Sequence, residues 1–487
     1  MQHEWSSKLM FILAAVGSAI GLGNIWKFPY ITGEYGGGVF VLAYLLCVCL
    51  IGLPIMLAEI ALGRRGKQSP VNTLYHLSQS AGSHFAWQYL GYMGMIAGCL
   101  ILSYYSVIAG EVMGYIFRAG SGMFNNQTAD GVKSILNRLA SDPEKLLAWH
   151  TLFMAMTVAV VAKGVKGGLE KTVSVLMPAL FVVLLILVGY GMNSGGFEQA
   201  FDFMFTMDAD KFFYARGDMG QYLMDSNSAK IFTWKPMMVA MGHAFFTLSL
   251  GMGAIMMYGS YLNRHASIGQ MTLIIVALDT AVAILAGLAI FPLVFANGLN
   301  PAAGPGLIFE TLPLAFGTMS GGTFIGTLFF LLLLFAAWSS AISLMEPTVA
   351  WLIESKDLRR IEASVWCGLV IWVIGLATIF SITGTTLQDI FQTLLGWIGF
   401  SDVELNQDFF KLNMFKVIDF FTVSIMLPLG GLLISVFAGW IMDTDSMERE
   451  FSFSQRYIFP FWQIMVRYVS PIFVIMVFLN IVGIIKF

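Results

Sequence analysis

Residues 10–30 of this chain read MFILAAVGSAIGLGNIWKFPY. The segment begins as an apolar helix, then places three glycines within seven positions, ahead of Asn24 and Lys27. Because glycine lacks a Cβ and weakens a helix, this cluster marks a point where the helix can open. Close packing of small residues explains the glycines alone, but it does not explain Asn24 and Lys27 beside them. Inside a membrane, freed backbone groups are tolerated where they line a cavity, so we predict a cavity at this break.

The composition indicates a polytopic membrane protein. The chain has 487 residues, of which 57% are hydrophobic and 11% are charged, whereas soluble domains carry about 25% charged residues. A net charge of −3 excludes the basic surface of a nucleic-acid-binding protein. All four cysteines lie in apolar runs, which favours packing roles over a disulfide framework. Membrane lipid is therefore the expected surrounding, and nucleic acid is not an expected partner.

Eleven apolar stretches are long enough to cross a bilayer. Their approximate bounds are 9–32, 39–62, 88–117, 147–163, 172–192, 234–258, 269–297, 323–353, 363–383, 417–441 and 460–485. The connections on one side carry most of the lysines and arginines, including Arg64, Arg65 and Arg360. The positive-inside rule then predicts a multi-pass protein with its N-terminus in the cytoplasm and Phe487 outside.

The sixth stretch repeats the anomaly of the first. Residues 245–258, FFTLSLGMGAIMMY, contain Gly251 and Gly253 in mid-membrane. Paired glycine-broken segments in the two halves of a chain indicate a midplane transport site, a rule taken from secondary transporters of this architecture rather than worked out from these residues. We predict an all-α integral membrane fold with 11 transmembrane helices: a 5+5 inverted repeat with helices 1 and 6 broken, plus one extra C-terminal helix.

The predicted division of the chain follows from that repeat. It comprises a first five-span repeat at 1–192, an extracellular connection at 193–233, a second inverted repeat at 234–441, and a cytoplasmic loop with the eleventh span at 442–487. Three outer connections are long and are predicted to be lids or solvated, structureless loops; they are 118–146, 193–233 and 384–416. Segment 299–322 carries an apolar patch between proline and glycine clusters, which predicts a re-entrant cap over the outer mouth.

Asp279 lies in the middle of the seventh stretch, where a charge costs about 2.5–3.5 kcal/mol. Such an acid is paired, bound to a cation, or protonated and hydrogen-bonded to a neighbouring helix. Together with Asn24 and Thr247 it offers the oxygen ligands that hard cations prefer. Glu59 and Glu346 lie near the inner ends of their spans, where we expect Glu59 to satisfy unwound backbone and Glu346 to pair with a base.

Several motifs closely resemble those of the neurotransmitter:sodium symporter family, in its bacterial branch with eleven spans. The matching motifs are GSAIGLGNIWKFP (17–29), GGGVFVLAY (36–44), FFTLSLGMGA (245–254), GPGLIFETLP (304–313), GGTFIG (321–326) and FAAWSSAISLMEP (335–347). The resemblance implies a transporter of the plasma (cell inner) membrane, with an amino acid and two sodium ions bound at mid-membrane. It assigns the first sodium to Ala19, Asn24, Thr247 and Asp279. It assigns the second to carbonyls of Gly17, Ile20 and Ala336 and to hydroxyls of Ser339 and Ser340.

The same resemblance implies a substrate site at the helix breaks. It is formed by Ala19, Leu22, Gly23, Ile101, Tyr105, Phe246, Thr247, Ser249, Met252, Ser340, Ser343 and Leu344. Gly21 leaves room for an α-carboxylate, which favours an L-amino acid over an amine. The adaptable Met252 and the small Ser343 predict a roomy apolar pocket for a hydrophobic or aromatic side chain.

The family pattern also implies gates. Lys27 and Asp419 are expected at the outer gate. Trp5, Tyr261 and Glu354 are expected at the inner gate, where Gln2 replaces the usual arginine and puts that lock in doubt. Family members carry a glutamate or a chloride-facing serine at the position of Ala283. Because the Asp279 carboxylate, one helical turn away, would supply the negative charge that others take from chloride, we predict transport that is independent of chloride.

The chain shows no nucleophile–base arrangement, metal-ligating His/Cys cluster or phosphate-cradling loop, so we do not expect an enzyme. The predicted function is a sodium-coupled symporter that imports an L-amino acid by alternating access, as a monomer or weak dimer. The alternatives are an amino-acid-binding sensor of the same fold, a proton-coupled amino acid transporter acting through Asp279 or His243, and a channel.

Overall fold

A computed structural model describes residues 4–217, 221–224, 229–301, 306–384, 413–451 and 458–481. Over these ranges the chain is helical, and its β contacts are isolated bridges. In chain order, the helices of the bundle are α1 (Lys8–Ala19), α2 (Gly23–Glu34), α3 (Gly38–Gly66), α4 (Phe85–Gly120), α5 (Pro143–Ala162), α6 (Val165–Met192), α7 (Lys235–Thr247), α8 (Ala254–Ser260), α9 (Ile268–Ala296), α10 (Gly322–Lys356), α11 (Arg360–Ile382), α12 (Met414–Ile441) and α13 (Phe459–Leu479).

Nine of these helices, α3 to α6 and α9 to α13, are each long and apolar enough to cross a membrane within the described ranges. A tenth is added if α1 and α2 count as one bent span. The sixth predicted stretch consists of α7 and α8, which have only 13 and 7 residues. The described part of the chain is thus a helical bundle with about ten apolar helices, and the count of eleven spans stays a prediction.

The first break separates α1 from α2, whose axes differ by 58°. Ile20 leaves the helix in an extended conformation, with φ −71° and ψ 106°. The freed backbone N–H of Gly21 donates to Asn24 Oδ1 at 3.0 Å. The residues of the break therefore satisfy part of their own backbone with a side chain from the next turn.

The second break separates α7 from α8. Ser249, Gly251 and Gly253 all have positive φ here, and a Cβ on Gly251 would come within 2.4 Å of Leu427 O. Glu59 reaches this break from α3 and accepts the N–H groups of Gly251 at 2.7 Å and Met256 at 3.3 Å. The expectation that Glu59 satisfies unwound backbone is confirmed.

Two of the long connections contain helices, so a structureless loop is the wrong interpretation for their described parts. Ala129–Ala140 lies in the first, and Phe197–Phe205 and Ala209–Phe213 lie in the second. The apolar helix Leu307–Thr318 lies in the segment predicted as a cap, and the Tyr115 hydroxyl donates to its Phe309 carbonyl at 3.2 Å. Most of the 384–416 connection lies outside the described residues.

The helix breaks lie among the longest helices. α10 packs along α4, α6 and α11, while α1 packs against both α9 and α10. Many polar side chains of the core come from these helices and are almost fully buried, including Asn24, Asp279 and Ser339. The packing therefore surrounds the two breaks with polar groups that are shielded from solvent.

Candidate ion and substrate site

Asp279 joins the two helix breaks to α9. It is fully buried, and its Oδ1 accepts the Asn24 side-chain N–H at 2.7 Å. Thr247 Oγ1 lies 3.1 and 3.0 Å from the two carboxylate oxygens, and Asn24 Nδ2 lies 2.7 Å from Thr247 Oγ1. The three residues that were predicted as side-chain ligands of the first sodium thus meet at one point.

Neutral groups surround this carboxylate. Within the described ranges, the ion pairs do not include Asp279. Tyr44, which sequence reasoning missed, places its hydroxyl 3.5 Å from Asp279 Oδ2. The only signal for this contact is a tyrosine inside an apolar run, because a buried phenol needs a polar partner. A buried carboxylate without a positive partner is unfavourable, so the site suits a cation.

The donor set fits a hard cation such as sodium, with one adjustment. Asp279 and Thr247 offer oxygens. Ala19, at the end of α1, lines a small cavity between the two breaks together with Thr247. Asn24, however, presents its amide nitrogen to Asp279, while its oxygen accepts from Gly21. The Asn24 amide must turn its oxygen inward before all these groups can serve as oxygen ligands.

The residues predicted for the second sodium also lie together. Ser340 Oγ is 3.2 Å from Gly17 O and 3.0 Å from Ile20 O. Ser339 instead donates back to the preceding turn, 3.1 Å from Ala336 O, the ordinary behaviour of a serine in a helix. A Cβ on Gly17 would lie only 3.1 Å from that of Ser339, so the glycine allows α1 and α10 to approach closely.

A small cavity of about 30 Å³ lies between the breaks, which leaves room for only about two buried waters. An amino acid can enter only if the walls move apart. The lining comprises Ser18, Ala19, Gly21, Leu22, Gly23, Asn24, Ile101, Tyr105, Phe246, Thr247, Ser249, Met252, Ser340 and Leu344. Every residue predicted for the substrate is present except Ser343. Its hydroxyl lies 2.7 Å from Ser340 O and 2.8 Å from Ser18 Oγ, which turns it away from the cavity.

The cavity combines one polar end with apolar lining residues. At the polar end the Leu22 N–H donates to the Tyr105 hydroxyl at 3.3 Å. A Cβ on Gly21 would lie 3.2 Å from that hydroxyl, so any side chain at position 21 would reduce the polar end. Ile101, Met252 and Leu344 add apolar side chains to the lining. This lining suits a ligand with one charged end and one apolar side chain.

A larger cavity of about 370 Å³ shares Leu22 with the central one and is also lined by Trp26, Glu111 and Glu310. Lys27 lies near this side, with Nζ 5.3 Å from the centroid of the Phe246 ring. Lys27 and Asp419, the predicted outer gate pair, are not among the ion pairs of the described residues. Among the described residues, this predicted pair therefore does not close the side with an ion pair.

The side that carries the N-terminal segment, here called the N-terminal face, is closed. Trp5 is 8% exposed and donates from Nε1 to Tyr258 O at 2.9 Å. The Tyr261 hydroxyl donates to Glu346 at 2.7 Å, and Arg360 binds the other Glu346 oxygen at 2.5 Å. The expectation that Glu346 pairs with a base is confirmed.

Two further glutamates form contacts on this face: Glu354, which was predicted for the inner gate, and Glu170, which was not. Glu354 accepts the Ser69 N–H and the Asn72 amide, while Gln2 lies outside the described residues. Glu170, which sequence reasoning missed, accepts both the N–H and the hydroxyl of Ser6 at 2.7 Å. Glu170 therefore anchors the N-terminal segment, which no local sequence signal indicates.

A bundle of apolar helices with two breaks around a buried acid defines a multi-pass secondary transporter. The sequence model of the Sodium:neurotransmitter symporter family matches residues 2–129 and 133–401. The chain is 33% identical to the sodium-dependent transporter YhdH of Bacillus subtilis, covering 99% of this chain and 98% of that protein. It is 26% identical to the sodium- and chloride-dependent glycine transporter 2 of Xenopus laevis, over 71% of this chain and 50% of that protein.

A solved structure shows the same fold. The crystal structure of MhsT in complex with L-phenylalanine matches with a TM-score of 0.82 and 37% identity, covering 99% of this chain and 100% of that one. The chain therefore belongs to the sodium:neurotransmitter symporter family. It is a sodium-dependent membrane transporter and not an enzyme.

Proposed function

We propose that this chain imports an L-amino acid with a hydrophobic or aromatic side chain together with two sodium ions, independently of chloride. One observation carries the proposal: a buried carboxylate, Asp279, binds both helix breaks through neutral groups and has no ion-pair partner in the described ranges. A transported sodium ion would supply the missing positive charge. The amino acid would lie between the breaks and share that ion through its own carboxylate.

We infer the substrate class from the polar end and the apolar lining residues of the central cavity. Gly21, the Leu22 amide and the Tyr105 hydroxyl leave a polar end for an α-carboxylate. Ile101, Met252 and Leu344 offer apolar contacts to the side chain. The L-phenylalanine bound to MhsT supports an aromatic substrate for this chain.

Independence of chloride rests on the charge of Asp279. Its carboxylate lies beside the Tyr44 hydroxyl, with Ala283 buried one helical turn away. A fixed negative charge next to a bound cation removes the need for a bound anion.

The proposed cycle is alternating access. The N-terminus is cytoplasmic in this proposal, so the closed N-terminal face is the inner gate and the 370 Å³ cavity opens outward. We retain eleven spans, as two inverted five-span repeats and one extra C-terminal helix, with α1–α2 and α7–α8 as the broken spans at corresponding positions.

The sodium gradient and the membrane potential drive this cycle. Entry of one sodium ion releases about 2.3 kcal/mol per 100 mV and about 1.4 kcal/mol for a tenfold gradient, so two ions supply roughly 7 kcal/mol.

The test is uptake of radiolabelled L-phenylalanine by the purified full-length chain in proteoliposomes. The vesicles carry an inward sodium gradient, with potassium and valinomycin setting a negative interior. We expect saturable uptake that requires sodium and persists when gluconate replaces chloride.

Three other results would each contradict the proposal. Binding without uptake would indicate a sensor. Sodium-free uptake driven by a pH gradient would indicate proton coupling. Non-saturable flux without counterflow would indicate a channel.

A further inference from the structure

A third cavity, of about 520 Å³ and lined mainly by polar side chains, lies on the N-terminal face, away from the transport site. It lies where the end of α3, the α8–α9 connection and the short helix Thr444–Glu448 meet. Its lining comprises Arg64, Arg65, Leu77, Ser80, Arg264, Arg449 and Glu450. Four guanidinium groups thus face one carboxylate, which leaves a surplus of three positive charges.

Arg64 and Glu450 form a fixed floor for this cavity. The Arg64 side chain is 2% exposed, and its Nε lies 2.7 Å from Glu450 Oε2. Its Nη1 also donates to Ala266 O at 2.6 Å. Arg65 lies 3.8 Å from the other Glu450 oxygen and donates to Ser446 Oγ at 3.0 Å. The single carboxylate is therefore already shared between two arginines.

Arg264 and Arg449 are different. Both are exposed, and neither is found in an ion pair or a side-chain hydrogen bond with the part of the chain that the structure describes. The other charged groups of the lining are Arg64, Arg65 and Glu450. Two arginines that share a cavity with two more guanidinium groups and one carboxylate that is already paired are suited to an external anion.

We propose that this cavity binds a phosphate-bearing anion, held by Arg65, Arg264 and Arg449 above the Arg64–Glu450 floor. Guanidinium groups match phosphate oxygens with paired hydrogen bonds, which makes arginine the preferred residue for such sites. The phosphate belongs either to the headgroup of an anionic phospholipid or to a soluble phosphate compound. The bound anion would tie the end of α3 to two other connections. The proposal is independent of the transported substrate.

The test measures the melting temperature of the purified full-length protein in neutral detergent at constant ionic strength. The ligands are inorganic phosphate and dioctanoyl phosphatidylglycerol, with dioctanoyl phosphatidylcholine as the uncharged reference. The test variant is Arg264→Gln/Arg449→Gln, which removes no ion pair or side-chain hydrogen bond from the part of the chain that the structure describes. The matched control, Lys133→Gln/Lys171→Gln, removes two exposed positive charges outside the cavity lining.

We expect the wild type and the lysine control to be stabilised at the same ligand concentration. The arginine variant should need at least about tenfold more ligand, because charged hydrogen bonds are lost. Stabilisation by inorganic phosphate alone would assign a soluble ligand, and stabilisation by phosphatidylglycerol alone would assign a lipid headgroup. No stabilisation by either, or equal half-maximal concentrations in the wild type and the arginine variant, would overturn the proposal.

Discussion

Asn24 and Asp279 lie 255 residues apart in sequence, yet the Asn24 amide donates to the Asp279 carboxylate at 2.7 Å in the middle of the bundle. The contact joins the break between α1 and α2 to an unbroken helix. Thr247 adds the second break to the same carboxylate. A change in the charge of Asp279 should therefore affect the conformation of both broken helices at once.

Replacement of Asp279 by alanine should abolish sodium-dependent substrate binding. The change removes the only charged group among Asn24, Thr247 and Asp279. Loss of a charged contact of about 3 kcal/mol weakens binding by at least about 100-fold. A scintillation-proximity assay with labelled L-phenylalanine, titrated with sodium, measures the effect. Asp130→Ala, an exposed acid at the start of another helix, is the control. Near-normal sodium dependence in Asp279→Ala would remove this residue from the ion site.

The charge of Asp279 also makes a prediction about chloride. The neutral variant Asp279→Asn keeps the hydrogen-bonding shape but lacks the negative charge that balances a bound cation. We expect its uptake to require chloride, whereas wild-type uptake stays unchanged when gluconate replaces chloride. The comparison is made in proteoliposomes at fixed sodium. Chloride-dependent uptake by the wild-type chain would show that the Asp279 carboxylate does not take the place of a bound chloride ion.

Tyr105→Phe tests the polar end of the central cavity. The hydroxyl lies 3.3 Å from the Leu22 amide, at the place proposed for the substrate carboxylate. Loss of one such hydrogen bond, about 1–1.5 kcal/mol, should raise the KM for L-phenylalanine about tenfold with little change in maximal rate.

The neighbouring Tyr104→Phe is a matched control, because that ring packs against Phe415 and does not line the cavity. Equal KM values in Tyr104→Phe and Tyr105→Phe would contradict a direct role for the Tyr105 hydroxyl. Phenethylamine, which lacks the carboxylate, should inhibit the wild type and Tyr105→Phe to the same extent.

The sequence allowed the breaks to be predicted because glycine clusters and a mid-membrane acid are local signals. A carboxylate in an apolar run and a glycine in a helix are both unfavourable, so Asp279 and Gly251 stand out in the sequence. In the structure Asp279 accepts a hydrogen bond from Asn24, and the Gly251 N–H donates to Glu59. Tyr44, Glu170 and Ser343 were missed or misplaced for a different reason. Their contacts depend on the rotation of one helix against another, which a single sequence does not reveal.

The closed N-terminal face should depend on a buried ion pair between α10 and α11. Glu346 accepts hydrogen bonds from Tyr261 and Arg360. The Glu346 side chain is 0% exposed and that of Arg360 is 18% exposed. Arg360→Gln leaves the carboxylate without a positive partner, which destabilises a folded protein by about 3–5 kcal/mol. We expect a lower melting temperature of the purified protein. Trp5 should become more accessible to an aqueous quencher, because its ring packs against Tyr261 and the Tyr261 hydroxyl donates to a Glu346 carboxylate that Arg360 then no longer holds in place. The double variant Glu346→Gln/Arg360→Gln should recover much of the stability, since no unpaired charge then remains. A melting temperature for Arg360→Gln equal to that of wild type would show that this pair does not hold the face closed.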